Sequence, residues 1–369
     1  MLNLPDFNEL SAEQDDVLDL PLDSSVIVTG PPGTGKTVIA IWRANMLHKA
    51  KRPTLLLMYG KLLSTYTGSA VKKLNVDSLV STYHSWFPRY YKSIYRENPP
   101  ELTRWKYDWA ACAEKMMNSP VPEQLQRHII VDEGQDMPKE FYLMLRMVSS
   151  SMTILADENQ RITEDQSTLA EIKAASGVND MRTLTRNFRN TLPIAEFAAQ
   201  FYVGLPSGIP ELPPPTRAGE RPSLQCHSDI AQTVKQIISY ENTYRDHTIG
   251  VLVPTKSLLK SLYSRLNGKS RAAIQAYVGE LRNGGMHPLD FSKPGIKLVT
   301  WASAKGLEFD TVFLPELQKV RGEPSSDELR MKMYVLSSRA KQRLFLSYSG
   351  EGEPPFVSAL PHGFLEDNR

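Results

Sequence analysis

Residues 26–37 read VIVTGPPGTGKT, and this stretch decides how the chain folds. It opens on three β-branched apolar residues, which are typical of a short buried strand. A loop of the form GxxxxGKT follows, and after it a run that favours helix, residues 38–49. In this strand–loop–helix order, the N–H groups of the loop and of the helix start can surround a polyphosphate. The stretch therefore predicts a nucleotide-binding loop on an α/β sheet.

Each position of the loop has an expected role. The glycines permit a tight turn, Lys36 would reach the β- and γ-phosphates, and the Thr37 hydroxyl would bind Mg²⁺. A nucleotide polyphosphate and Mg²⁺ are therefore the expected ligands, and the family resemblance described below implies that the nucleotide is ATP. The residues expected to contact the nucleotide here are Gly30, Pro31, Pro32, Gly33, Thr34, Gly35, Lys36 and Thr37.

Bulk composition limits the remaining possibilities. The chain has 369 residues, of which 41% are hydrophobic and 23% charged, so it can build two domains with ordinary cores. A net charge of +2 means that any nucleic-acid site must be a local patch. Two cysteines without metal-ligand spacing, no signal pattern and no run of about 18 apolar residues predict a cytoplasmic protein without a membrane segment.

Short apolar runs alternate with helical patterns on both sides of a proline-rich stretch, residues 203–222, which holds six prolines. This predicts a first domain over residues 1–200, a stiff connection over 201–222 and a second domain over 223–369. Both domains are expected to hold parallel sheets, and no internal repeat is visible in the sequence. The strands are expected at residues 26–29, 54–58, 79–82, 129–132, 153–156, 223–226, 248–253, 297–300, 311–314 and 344–348.

A second acidic motif, IIVDEGQD, occupies residues 129–136. An apolar strand that ends in two adjacent carboxylates, downstream of a phosphate loop, is a Walker B arrangement. Asp132 would hold Mg²⁺ together with Thr37, and Glu133 would polarise the attacking water.

These motifs, together with others that follow in order along nearly the whole chain, resemble the UvrD/Rep family of superfamily 1 helicases. The resemblance implies two tandem RecA-like P-loop NTPase domains and an ATP-hydrolysing motor on single-stranded nucleic acid, DNA rather than RNA, moving 3′ to 5′. It implies catalytic roles for Lys36, Asp132, Glu133, Gln160, Arg189 and Arg339, with Gln160 and both arginines at the γ-phosphate. Further nucleotide contacts are implied for Gln14 and Arg43 near the base, Phe188 stacked on adenine, and Gly306 and Glu308 at the ribose segment.

The same resemblance places nucleic-acid contacts on two segments of the first domain. They follow the second and third expected strands. The residues concerned are Tyr59, Lys61, Thr82, His84 and Trp86.

The chain also departs from the family pattern. The large accessory subdomains of full-size members are absent from residues 87–127 and 191–296, and no aromatic residue follows Gln160. The family histidine is replaced by Ala302, and a threonine by Ser338. An alternative function is therefore a nucleic-acid-gated ATPase switch that works with a partner such as a nuclease and unwinds little duplex itself.

A small insertion, residues 87–125, mixes aromatic and basic side chains. Such a mixture is typical of a surface that binds single strands. Equally, the rings could fill a small helical core. The sequence leaves both interpretations open.

Overall fold

The computed structural model describes residues 2, 4–103, 106–157, 166–204, 211–278 and 288–367, and only the backbone of Lys61 and Asp367. The chain divides into two compact units, Leu2–Thr185 and Arg186–Arg369. We call them the first unit and the second unit.

The first unit is built on six parallel strands in the order β3-β2-β6-β7-β1-β8, with a separate antiparallel pair, β4 and β5. Its strands are β1 (Val26–Thr29), β2 (Thr54–Met58), β3 (Val80–Thr82), β4 (Glu101–Thr103), β5 (Lys106–Tyr107), β6 (Arg127–Asp132), β7 (Ser149–Ala156) and β8 (Met181–Thr183). Its helices are α1 (Ala12–Leu18), α2 (Lys36–Lys49), α3 (Lys61–Lys73), α4 (Tyr83–Tyr95), α5 (Trp109–Asn118), α6 (Lys139–Val148) and α7 (Leu169–Ser176). Strands β1 and β2 are buried along their whole length, as apolar β-branched and leucine-rich runs in a parallel sheet require.

The second unit is built on seven parallel strands in the order β11-β12-β10-β13-β14-β9-β15. Its strands are β9 (Ser223–His227), β10 (Thr248–Val253), β11 (Gln275–Tyr277), β12 (Gly295–Thr300), β13 (Phe309–Leu314), β14 (Ala340–Ser349) and β15 (Glu366–Asp367). Its helices are α8 (Leu192–Ala199), α9 (Ile230–Thr243), α10 (Lys256–Leu266), α11 (Asp327–Ser337) and α12 (Pro355–Ser358).

The two sheets repeat one topology. Leaving out β11, the second sheet runs β12-β10-β13-β14-β9-β15, which matches β3-β2-β6-β7-β1-β8 strand for strand. The phosphate-loop strand β1 thus corresponds to β9, and the Walker B strand β6 corresponds to β13. The repeat agrees with the two tandem RecA-like domains that the family resemblance implied, although no sequence repeat is visible, because buried parallel strands require only short apolar runs and not a shared sequence.

Residues 186–200, expected in the first domain, group with the second unit. The Thr191 N–H donates to the Lys341 carbonyl at 3.1 Å, and the Leu192 N–H donates to the Arg217 carbonyl at 2.8 Å. Helix α8 also packs against α11. These contacts attach the segment to the second sheet ahead of the proline-rich stretch.

The insertion after β3 forms α4, the β4–β5 hairpin and α5, and its rings turn inward. Phe87 and Tyr91, four residues apart on α4, are 1% and 2% exposed, and Tyr107 is equally buried. The Phe87 ring lies 5.1 Å from Tyr107 and 6.1 Å from Phe141 of α6. Cys112 of α5 is buried in the same cluster. These aromatic residues therefore extend the hydrophobic core of the first unit.

Candidate nucleotide site

The phosphate loop joins β1 to α2 and closes around the Lys36 ammonium. Lys36 Nζ donates to the carbonyls of Gly30 and Pro31 at 2.5 and 3.0 Å, and it lies 3.5 Å from the Asp157 carboxylate. Gly33 and Gly35 have φ values of 90° and 87°, which favour glycine. The loop thus holds a buried cation beside the N-terminus of α2, an arrangement that suits the phosphates of a nucleotide.

Gln14 of α1 supports the outer side of this loop. Its Nε2 donates to the Thr34 carbonyl at 2.9 Å, and its Oε1 accepts from the Ser11 N–H at 3.0 Å. A Cβ on Gly35 would lie only 2.3 Å from Gln14 Nε2, so a side chain there would displace this amide besides straining the backbone. Inside the loop, the Thr34 hydroxyl donates to the Pro31 carbonyl at 3.0 Å.

A pair of oxygen ligands lies next to Lys36. The Thr37 hydroxyl donates to Asp132 Oδ2 at 2.8 Å. Burial of Asp132, and then the neighbouring Glu133 carboxylate, raise the pKa of the Asp132 carboxyl above its usual range. A divalent cation bound here would compensate this unfavourable charge, and hydroxyl and carboxylate oxygens are the ligands that Mg²⁺ prefers. The residues therefore fit the expected Mg²⁺.

Glu133 occupies a strained turn at the end of β6. Its backbone is left-handed, with φ 54° and ψ 47°. Its Oε2 accepts a hydrogen bond from Gln135 Nε2 at 2.6 Å, and Gln135 Oε1 accepts from the Asp157 N–H at 2.9 Å. Gly134 lies between them because a Cβ there would be 2.7 Å from the Tyr142 hydroxyl oxygen.

A cluster of charges in the second unit brings together other predicted nucleotide residues. Arg189 Nε donates to Glu308 Oε1 at 2.7 Å, the Arg189 Nη2 group contacts the same oxygen, and Lys341 lies 3.5 Å from Glu308 Oε2. Arg339 is almost fully buried and donates to the carbonyls of Val335 and Leu307. The segment between Glu308 and the end of β12 turns at Gly306, where φ is 74°.

Two buried asparagines fix the position of Arg189. Asn187 Oδ1 accepts from the N–H groups of Arg189 and Asn190. Asn190 Nδ2 donates to the carbonyls of Ser338 and Ala340, so the segment is tied to the start of β14. Phe188, between them, is 43% exposed, so its ring is accessible from solvent.

The predicted nucleic-acid residues divide into exposed and structural ones. Tyr59 is 42% exposed and stacks on Tyr83 at 6.2 Å, and His84 contacts both rings. The Thr82 hydroxyl instead caps α4 by accepting from the Ser85 N–H. Trp86 differs from the prediction, since it is 8% exposed and its ring packs on Tyr90 at 4.7 Å. Lys61 begins α3, and its side chain lies outside the described residues.

Two stretches of the chain match models of known protein families. Residues 17–166 match an AAA domain, and residues 274–351 match a UvrD-like helicase C-terminal domain. The chain belongs to the UvrD-like superfamily 1 helicases.

This UvrD-like chain is 25% identical over 257 residues to an Acanthamoeba polyphaga mimivirus protein named for a proposed ATP-dependent DNA helicase activity, covering 63% of this chain and 36% of that protein. It is 45% identical over 60 residues to the RecBCD enzyme subunit RecB of Chlamydia pneumoniae. That match covers 16% of this chain and 6% of the subunit. A solved C-terminal domain of a proposed Lactobacillus plantarum DNA helicase is 22% identical, with a TM-score of 0.36, covering 49% of this chain and 98% of that domain. The chain thus matches about a third, or less, of the length of these curated relatives.

In this UvrD-like chain, Arg43, which was predicted to lie near the base, has only contacts within the first unit among its described hydrogen bonds. It is fully buried in α2, where its guanidinium donates to the Thr153 hydroxyl and to the carbonyls of Val17, Leu20 and Pro21. These contacts attach the end of α1 to β7. Gln160, the predicted γ-phosphate sensor, lies outside the described residues.

Gln135 is the member of the site that the sequence left without a role. The available signal was a recurrence, since an apolar strand is followed by Glu-x-Gln at residues 133–135 and again at 316–318.

Within the described ranges, no group of three or more His, Cys, Asp or Glu side chains could hold a metal ion. The helices of those ranges include none long and apolar enough to cross a membrane.

Proposed function

We propose that this protein hydrolyses ATP with Mg²⁺ and uses the cycle to act on single-stranded nucleic acid, DNA rather than RNA. The observation that carries the proposal is the convergence of Lys36, Thr37, Asp132 and Glu133 at the ends of β1 and β6. A buried ammonium, two oxygen ligands and a carboxylate for the water are the parts that phosphoryl transfer to water needs.

In the proposed reaction, Lys36 leaves its loop carbonyls and binds the β- and γ-phosphates. Thr37 and Asp132 would hold Mg²⁺, which neutralises charge on the phosphates when bound. Glu133 accepts a proton from a water whose oxygen bonds to the γ-phosphorus. The bond from that phosphorus to the β–γ bridging oxygen breaks, and ADP leaves with the electron pair. Arg189 and Arg339 are proposed to stabilise charge on the γ-phosphate, and Phe188, Gln14 and Glu308 to contact the nucleoside.

The proposed strand-binding surface consists of Tyr59 and His84. Tyr59 is exposed and His84 is half-buried; they follow β2 and β3, and stacking on an aromatic ring is worth about 1–3 kcal/mol per base. Movement from 3′ to 5′ is proposed from the family resemblance. The Chlamydia relative is named as a subunit of a larger enzyme, which supports a protein partner such as a nuclease.

A second candidate function is a nucleic-acid-gated ATPase switch with little unwinding of its own. The buried insertion favours it, because the buried rings of α4, the hairpin and α5 pack into the core of the first unit and are not available to bind a strand. Duplex separation must oppose a mean stacking free energy of about 1.4 kcal/mol per base-pair step. Single-turnover strand displacement on a tailed duplex separates the candidates, since only the motor gives rapid displacement by an isolated monomer.

The proposal is tested by measuring ATP turnover with single-stranded DNA, single-stranded RNA, duplex DNA or no nucleic acid. We expect the largest stimulation from single-stranded DNA, with an affinity that falls steeply as salt rises. Glu133→Gln should bind ATP without turning it over. Tyr59→Ala should lower the stimulated rate more than the basal rate. Near-normal turnover by Glu133→Gln would contradict the assignment of the site.

A further inference from the structure

The side chain of Gln135 forms a hydrogen-bonded bridge within the nucleotide site, and none of the roles assigned above includes this residue. It is fully buried, and both ends of its amide are used, one on Glu133 Oε2 and the other on the Asp157 N–H. Its backbone carbonyl also accepts from the Ser167 N–H at 3.0 Å. The side chain therefore connects the Glu133 carboxylate to the end of the adjacent strand, β7.

The same bridge exists in the second unit, at the end of the corresponding strand β13. Glu316 is left-handed, with φ 60° and ψ 42°, and Gln318 Nε2 donates to Glu316 Oε2 at 3.0 Å. Gln318 Oε1 accepts from the Ser349 N–H at 3.1 Å, at the end of β14. The same hydrogen-bonded Glu-x-Gln turn therefore occurs in both units.

The surroundings of the two glutamates differ. Glu316 is enclosed by further donors, namely the Ser349 hydroxyl at 3.0 Å and the Lys319 ammonium at 3.1 Å. Glu133 follows Asp132 directly, and Asp132 is bonded to Thr37 of the phosphate loop. In the second unit, the position of the phosphate loop is taken by Ser228 and Asp229 alone, between β9 and α9.

We infer that Gln135 is a positioning residue for ATP hydrolysis, which holds the Glu133 carboxylate in the orientation that accepts the proton of the attacking water. The inference rests on the proposed function. A carboxylate that is free to rotate aligns the water less often, and misplacement by about 1 Å can cost about 10²-fold in rate. Gln318 makes the same bonds in a unit whose β9–α9 connection is only two residues long and contains no phosphate loop, so we expect its role to be limited to stability.

The test compares Gln135→Met with Gln318→Met, two substitutions that conserve length and remove both amide bonds. We expect Gln135→Met to lower kcat by about 10- to 100-fold. Its Kd for the β,γ-imido analogue of ATP should stay within about threefold of wild type. Gln318→Met should keep kcat within about twofold, although both variants unfold at a lower temperature.

Gln135→Glu serves if the methionine variant fails to fold. It keeps an acceptor for the Asp157 N–H and loses the donor to Glu133, so kcat should fall while the fold is retained. Wild-type kcat in Gln135→Glu, or equal losses of kcat in the two methionine variants, would overturn the inference. A Gln135→Met defect explained wholly by weaker analogue binding would overturn it as well. A wild-type protein without ATP turnover contradicts the proposed function instead.

Discussion

The ends of β6 and β13 carry the same turn, but only the first lies beside a phosphate loop. Glu133 and Glu316 are both left-handed, and each is bonded to a glutamine two residues later. This backbone conformation costs about 1–2 kcal/mol for a residue other than glycine. Since both units bear the cost, strain at Glu133 is a property of the fold and does not by itself mark a reactive residue.

What distinguishes the first unit is the loop after β1, the strand that corresponds to β9 of the second unit. Residues 30–35 between β1 and α2 enclose the Lys36 ammonium, whereas the second unit turns directly from His227 into α9. His227 is bonded to the Thr233 hydroxyl of α9 at 2.8 Å, and Thr233 reaches Glu316 at 3.4 Å. In the second unit, the polar groups at this strand end are thus hydrogen-bonded to one another, where the first unit has its phosphate loop.

The largest expected effect on ATP turnover comes from comparing two lysines, one beside each glutamate turn. Lys36→Ala should abolish measurable ATP hydrolysis, a loss of at least about 10²-fold, mainly by weakening nucleotide binding. Lys319→Ala removes a half-exposed partner of Glu316 and should leave turnover unchanged. Steady-state turnover and nucleotide titration measure both. Equal losses would mean that the second turn also serves the reaction.

The next effect concerns the charge cluster of the second unit. Arg189→Ala and Arg339→Lys should each lower kcat by about 10²-fold, with much smaller changes in ATP affinity, because they remove charge or its geometry from the transition state. Arg343→Ala is the matched control, since this arginine of β14 pairs with Glu220. If kcat stays at the wild-type value in both Arg189→Ala and Arg339→Lys, the second unit takes no part in hydrolysis.

A stability effect follows for the buried glutamate of the second turn. Glu316→Gln replaces a carboxylate that accepts several hydrogen bonds, and we expect a loss of about 1–3 kcal/mol in the free energy of unfolding. Turnover at a permissive temperature should not change. Denaturant unfolding and an ATPase assay on the same sample check both points. An inactive but stable Glu316→Gln would refute the division of roles.

The smallest effect is a dependence of stability on pH. Burial of His128 at the start of β6, together with the Arg43 charge, lowers the pKa of His128 to about 3. The unfolded state takes up a proton below pH 6.5 while the folded state does not, so stability present above pH 6.5 declines as pH falls toward 3. From pH 7.5 to 5.5 this group should contribute a loss of about 1.4 kcal/mol.

Substitution of His128 tests that dependence. His128→Gln should unfold with a flatter profile over the same pH range, whatever its stability at pH 7.5. His227→Gln is the counterpart in the second unit, where burial also lowers the pKa of the histidine, while Glu316 and Asp229 oppose the shift. An unchanged pH profile in His128→Gln would show that other groups control the decline.

The sequence predicted the sheets well, because buried parallel strands are continuous apolar runs. All ten expected strands are present, and β1, β2 and β10 have the predicted bounds. The strands that were missed have only two or three residues each, namely β4, β5, β8, β11 and β15. In β8, for example, Met181–Thr183 are exposed at the sheet edge and carry no apolar pattern. The topological repeat was expected from the family resemblance and not from any internal sequence repeat, since it is a property of strand order and not of side chains.

Prediction of individual side chains was less uniform. Lys36, Thr37 and Asp132 converge because the loop and strand that carry them are fixed locally. The partners of Arg43 were not predicted, since most of them are backbone carbonyls at and after the end of α1, which no residue type indicates. Trp86 was assigned to nucleic acid although its neighbours at 87 and 91 have the four-residue spacing of a buried helical face.

The contrast between the two cysteines gives the chain a selective chemical handle. Cys112 is enclosed by the aromatic core of the insertion, where burial raises the pKa of its thiol to about 12, whereas Cys226 on β9 is exposed. Thiol reagents react with the thiolate, so a maleimide dye at neutral pH should attach at Cys226 and spare Cys112. The native chain can therefore carry one fluorophore on the second unit without any engineered cysteine, which would let a single-molecule experiment follow that unit through the ATP cycle.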